Sequence, residues 1–117
     1  MKPPGPCGRG AGCALAALAA ALLLLASPAW GAEHRVEVVD YAYRPAELTI
    51  QPGDTVTWSN REKRVSHSVL FDASGQESER FFPGESWSHT FEAEGEFAYH
   101  CGPHPEMKGR VVVRGQR

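Results

Sequence analysis

The chain has 117 residues, with twelve Lys and Arg against fourteen Asp and Glu, five His, three Cys and two Met. That length holds one domain, and a net charge of −2 gives a nucleic acid no basic surface to bind. The hydrophobic content of 42% is uneven, because much of it sits in one block near the N-terminus.

Lys2 and Arg9 precede a run from Cys13 to Ala26 that, after its Cys, is only Ala and Leu. Fourteen residues are short for a membrane span, and Ser27 to Gly31 supplies small residues at cleavage-type positions. Cys13 comes before the apolar stretch rather than after it, which argues against a lipid anchor, and no twin-Arg pair is present. Residues 1–31 are therefore expected to be a cleaved export signal, and 32–117 a periplasmic, monomeric domain with no membrane span. Cleavage after Gly31 leaves 86 residues, ten Lys and Arg against fourteen Asp and Glu, and thus a balance of −4. Cys101 and Met107 are then its only Cys and Met. One Cys closes no internal disulfide, so a metal is expected to supplement so small a core.

From residue 32 onward no segment keeps a helical period, whereas short β-rich runs recur, each closed by Gly, Pro or Asn. Arg35 to Val38 alternates, and Leu48 to Ile50 leads into a Pro52-Gly53 turn. Thr55 to Trp58 puts Val56 and Trp58 on one face, and Val65 to Val69 puts His67 on the face of two valines. Residues 70–80 are polar and irregular and are expected to be flexible. Pro83-Gly84 turns into Ser86 to Phe91, Gly95 is expected at a hairpin apex before Phe97 to Cys101, and Gly109 to Val113 closes the chain. This pattern predicts an all-β Greek-key sandwich of seven to eight strands.

The chemistry is concentrated in Tyr99-His100-Cys101-Gly102-Pro103-His104-Pro105-Glu106-Met107, with His67 upstream. A thiolate, two imidazoles and a thioether form a soft, mixed donor set. Such a set suits one copper ion cycling between Cu(I) and Cu(II), with the Met as a long, weak axial ligand. Zinc favours four strong ligands and has little use for the thioether. Cys101 and His104 must each come within about 2.0–2.3 Å of one ion, whereas three extended residues would hold them roughly 10 Å apart. The chain must turn between them. Gly102 permits that turn, and Pro103 and Pro105 stiffen it by fixing their own φ and restricting Gly102 and His104.

These residues resemble the ligand loop of the cupredoxins, the small blue copper proteins. Tyr99-His100-Cys101, Pro103-His104-Pro105 and Met107-Lys108-Gly109 are most similar to the short loop of the amicyanin type. Gln51 to Asn60 resembles a second landmark, and the similarity runs from Val36 to Val113. The resemblance implies that His67, Cys101 and His104 are equatorial copper ligands and Met107 the axial one. It further implies an electron carrier between a redox donor and acceptor rather than an enzyme, or alternatively a periplasmic copper carrier or buffer. Two positions depart from the family pattern. An Asn often follows the first His and a Ser or Thr the Cys, joined by a side-chain hydrogen bond. Here Ser68 and Gly102 stand there, so that link is not expected.

His34 and His89 are expected at the surface, and His100 on the outer face of its strand. Trp58, Trp87, Phe91, Phe97 and Tyr99 are expected to pack the core. Glu92, Glu94 and Glu96 flank Gly95, well away from Cys101, while Arg61, Lys63, Arg64, Lys108 and Arg110 lie near the ligands in sequence. The metal end is thus expected to be less negative than the rest and to face an acidic partner patch.

Overall fold

The computed structural model describes residues 31–115, so the expected export signal, apart from Gly31, lies outside the described residues. Eight strands run in chain order: β1 (Glu33–Val39), β2 (Ala42–Arg44), β3 (Glu47–Ile50), β4 (Asp54–Asn60), β5 (Leu70–Phe71), β6 (Ser86–Phe91), β7 (Gly95–His100) and β8 (Lys108–Val113). They form two four-stranded sheets, ordered β2-β1-β4-β6 and β3-β8-β7-β5, and the expected all-β sandwich is found.

The alternation in β4 accounts for its sheet. Val56 and Trp58 point inward and are fully buried, while Thr55 and Thr57 point outward. There their hydroxyls bond those of Thr90 and Ser88 on β6, at 2.7 Å each. Val36 and Val38 of β1 join the same core, met from the other sheet by Ile50, Phe71, Tyr99, Val111 and Val113. Burying an indole such as Trp58 removes on the order of 200 Å² from water, about 5 kcal/mol of driving force.

Two pairings are parallel, β1 with β4 and β3 with β8, and the other ladders are antiparallel. The antiparallel β7–β8 ladder positions the motif. Tyr99 pairs with Gly109 and His100 with Lys108, so the chain between Cys101 and Met107 is a closed loop at one end of the sandwich.

Three sequence expectations need correction. Residues 65–69 are not a strand, because His67 alone makes a β-bridge, to Phe81. The neighbouring carbonyls are taken by side chains instead, Val65 O by Asn60 Nδ2 and Ser68 O by the Tyr43 hydroxyl. Residues 70–80 are not irregular throughout. Phe71 N–H donates to Gln76 O, Ser78 N–H to Val69 O, and Leu70 bridges Glu77 around a turn at Gly75, whose φ is +76°. Gly95 does not cap a hairpin. β6 belongs to the first sheet and β7 to the second, so the acidic segment between them crosses from sheet to sheet.

Candidate metal centre

The loop donors are set by backbone bonds. Cys101 N–H donates to Met107 O at 3.0 Å, and Met107 N–H donates to His104 O at 2.9 Å. The last of the four sequence-predicted residues, His67, arrives from the segment between β4 and β5, fixed by reciprocal bonds with Phe81 at 3.2 and 2.9 Å. The fold thus brings residues 34 positions apart into one place.

There, Cys101 Sγ lies 3.7 Å from His67 Nδ1 and 3.7 Å from His104 Nδ1. All three donor atoms fall within 4.8 Å of one another. An ion bonded at about 2.0–2.3 Å in the middle of three such donors sets them roughly 3.5–4 Å apart, so the set fits a single ion. Cys101 and His67 are fully buried, Met107 is buried, and His104 is half-buried. Cys101 is also the only free thiol among the described residues.

Polar groups that the sequence reading did not identify orient these donors. Glu62 Oε2 lies 3.0 Å from His67 Nε2, and its side chain is only 10% exposed. A carboxylate accepts, so Nε2 carries the proton and Nδ1 presents its lone pair toward the sulfur. Burial pushes the Glu62 carboxyl up, but the Tyr41 N–H and the His67 ring outweigh it and hold it below the usual carboxylate range. Burial pulls His67 below the ordinary imidazole value, with Glu62 opposing and His104 adding to the shift. Ser68 N–H donates to Cys101 Sγ at 3.4 Å. No composition or spacing signal marks Glu62, which stands five residues before His67 in a charged stretch.

Tyr41 was equally hidden. Asp40 and Tyr41 are the two central residues of the β1–β2 hairpin and both have φ of +56°. Two positive φ values make the turn whose twist suits a two-residue hairpin, normally a place for Gly or Asn. In that conformation the Tyr41 N–H donates to Glu62 Oε2 at 2.8 Å. Its ring, on a residue 47% exposed, stands edge-on to His104 at 4.9 Å and to His67 at 5.6 Å between centroids.

The aromatic expectations hold for Trp58, Tyr99 and Phe91, which are buried, and Trp87 and Phe97 pack partly buried against them. Trp58 Nε1–H donates to the Tyr99 hydroxyl at 3.1 Å. Burial pushes the Tyr99 phenol up to about 12, with the Trp58 bond opposing. His34 and His89, expected at the surface, are half-buried. His89 stacks on Trp87 and stands edge-on to Phe91, and burial lowers its pKa. His34 Nε2 bonds Asp54 Oδ2 at 2.9 Å, and His100 Nδ1 bonds Asp72 Oδ1 at 2.6 Å.

Two of the cations expected near the ligands are paired with carboxylates. Arg110 pairs with Glu96 and with Glu47, each at 3.1 Å, because the β7–β8 ladder brings Glu96 beside it and the β3–β8 ladder sets Glu47 opposite it. Arg61 pairs with Glu37 at 3.5 Å.

Residues 32–114 match the family described as copper binding proteins, plastocyanin/azurin family. An amicyanin of Paracoccus denitrificans is 42% identical over 84 residues, covering 67% of this chain and 63% of that protein's own length. An amicyanin-alpha of Methylorubrum extorquens is 37% identical over 106 residues, covering 86% and 87%. Among solved structures, an oxidised amicyanin variant superposes with a TM-score of 0.66 at 35% identity, covering 68% of this chain and 80% of that one. A purple cupredoxin from Nitrosopumilus maritimus gives 0.64 at 30% identity, covering 69% and 99%. With its eight-strand sandwich and its thiol between two imidazoles, the chain belongs to the plastocyanin/azurin family of copper-binding proteins, and copper is its cofactor.

Proposed function

We propose that this chain is an exported type 1 copper protein that carries one electron at a time between a larger redox donor and acceptor. His67, Cys101 and His104 would hold the ion through Nδ1, Sγ and Nδ1, with the buried Met107 as a weak fourth donor. The observation that carries this reading is the pair of imidazole nitrogens each 3.7 Å from one buried thiol sulfur. Bound copper supplies a centre that alternates between Cu(I) and Cu(II).

The chain's own contribution is to keep the donors still. Glu62 fixes the His67 tautomer and ring plane. The Cys101–Met107 and Met107–His104 backbone bonds hold the loop shut, and Pro103 and Pro105 restrict its rearrangement. Such rigidity keeps the site from reorganising as its charge changes, which fast electron transfer requires. His104, flanked in sequence by Pro103 and Pro105, is the half-buried member of the donor set and would be the exit for the electron.

Export with removal of residues 1–31 has support at the domain's edge. Ala32 N lies 2.9 Å from Oδ1 of the buried Asp54, so cleavage after Gly31 would set a new ammonium against that carboxylate. The intact mass of protein secreted from cells tests that boundary.

The site itself is tested by absorption and EPR spectra of the mature domain with stoichiometric Cu(II), followed by ascorbate. An intense red-region band with narrow hyperfine splitting, bleached by reductant and restored in air, is expected. A pale spectrum with ordinary wide splitting overturns the thiolate assignment. Cys101→Ser should abolish the band.

A further inference from the structure

The family's side-chain link beside the Cys has a substitute here that comes from elsewhere in the chain. Ser68 is fully buried, and its hydroxyl both receives the Gly102 N–H at 3.0 Å and donates to Glu77 Oε2 at 2.8 Å. A Cβ built on Gly102 would overlap that same Glu77 oxygen and lie 3.0 Å from Ser68 Oγ. The carboxylate therefore occupies the space that a side chain on residue 102 would fill. Glu77 is held there by its turn, through the bridge to Leu70 and the bonds of Val69 N–H to Ser78 Oγ and Ser78 N–H to Val69 O.

We propose that Glu77 is a positioning residue for the Cys101 thiolate, clamping the ligand loop to the His67 segment through Ser68 and Gly102. The inference rests on the reading of Cys101 as a copper ligand. Ser68 acts on the Cys101 corner through two bonds. Its own N–H donates to Cys101 Sγ at 3.4 Å, while its hydroxyl fixes the amide that follows Cys101. A hydroxyl that donates to a carboxylate becomes a better acceptor, so Glu77 strengthens the hold on Gly102. Gly102 is then required not for its backbone freedom but for the absence of a side chain, which leaves room for the carboxylate.

The test has one arm that needs no metal. In the copper-free domain, Glu77→Ala should speed hydrogen exchange of the Gly102 amide at least tenfold, whereas Glu77→Gln, which keeps an acceptor, should leave it nearly unchanged. In the copper-loaded domain, Glu77→Ala should shift the Cu(I):Cu(II) ratio at fixed ambient potential at least threefold toward Cu(I), because an anion near the site favours the more charged ion. A tenfold shift corresponds to 59 mV for a one-electron couple. Adding Gly102→Ser to Glu77→Ala returns a side chain to the vacated space and should recover most of the exchange protection, while the Cu(I):Cu(II) ratio stays shifted because a serine carries no charge. Exchange and ratio both unchanged in Glu77→Ala overturn the inference. Should wild-type protein lack the intense copper band, the copper reading fails while the exchange arm still decides whether the clamp exists.

Discussion

Gly109 looks replaceable, since it lies in β8 with an ordinary strand backbone, yet Gly109→Ala should be among the most damaging single-methyl changes in the domain. Its strand partner is Tyr99, whose ring folds back over it. A methyl there would overlap Cζ and the hydroxyl oxygen of Tyr99 and come within 2.8 Å of Cε2. The ring cannot step aside, because Tyr43, Trp58 and Phe71 stand edge-on to it with centroids at 4.8, 5.4 and 6.2 Å. Overpacking of this kind costs about 1–3 kcal/mol. Displacing the ring also breaks the Trp58–Tyr99 bond and strands a buried indole N–H, a further 1–3 kcal/mol or so. Together these give about 2–6 kcal/mol, a melting-temperature drop of at least about 8 °C for a domain this size. Urea unfolding of the copper-free domain, followed by tryptophan fluorescence, measures it. In a Tyr99→Leu background the same methyl should cost less than about 0.5 kcal/mol, since the obstructing ring is gone. A wild-type-like Gly109→Ala, within about 0.5 kcal/mol, would refute the argument.

Glu62→Ala leaves His67 Nε2–H without its acceptor, and copper affinity should fall about 10- to 100-fold in competition with a chelator; a change under twofold would show that the carboxylate does not orient the ring. Asn60→Ala removes a buried amide whose Nδ2 serves Val65 O and Phe81 O and whose Oδ1 serves Glu62 N–H, and should cost about 2–4 kcal/mol in urea unfolding. For Asp54, burial pushes the carboxyl up, but His34, Gln51 N–H and Ala32 N–H more than reverse it and hold it below its ordinary value. A depressed folded pKa stabilises the fold above the unfolded value of about 3.9 and ceases to do so as pH falls through the folded one. Stability of the copper-free domain should therefore decline on acidification below about pH 4, and Asp54→Asn should flatten that slope; an identical slope in the variant would assign the acid sensitivity elsewhere.

Local alternation marked the strands well wherever each inward residue met a long partner strand, as Val56 and Trp58 do on β4. It misled at residues 65–69. There the inward direction of His67 was legible, but whether a ladder forms depends on what competes for the backbone, and Asn60 and Tyr43 do so from distant positions. The crossing at Gly95 was invisible for a related reason. A short Gly-containing link reads alike whether it turns back into its own sheet or passes to the opposite one. Cys101, His104 and Met107 were readable because one loop imposes their spacing. Glu62, Glu77 and Tyr41 act through contacts made only after the sandwich closes, and in the sequence each looks like an ordinary surface residue.

The pairing of β3 with β8 joins Glu47 to Arg110, and the β1–β4 pairing is also parallel. Both must close long stretches of chain before any contact rewards them, which places the domain among slow-folding topologies. His67 and Cys101 approach each other only once those ladders exist, so the chain has no assembled copper site early in folding. During that interval Cys101, the one thiol among the described residues, has no disulfide partner among them and faces solvent. Only the finished sandwich hides Cys101 completely. Folding speed is thereby a defence of the ligand itself, since every slowly closing strand prolongs the time in which oxidation can remove the residue that the copper needs.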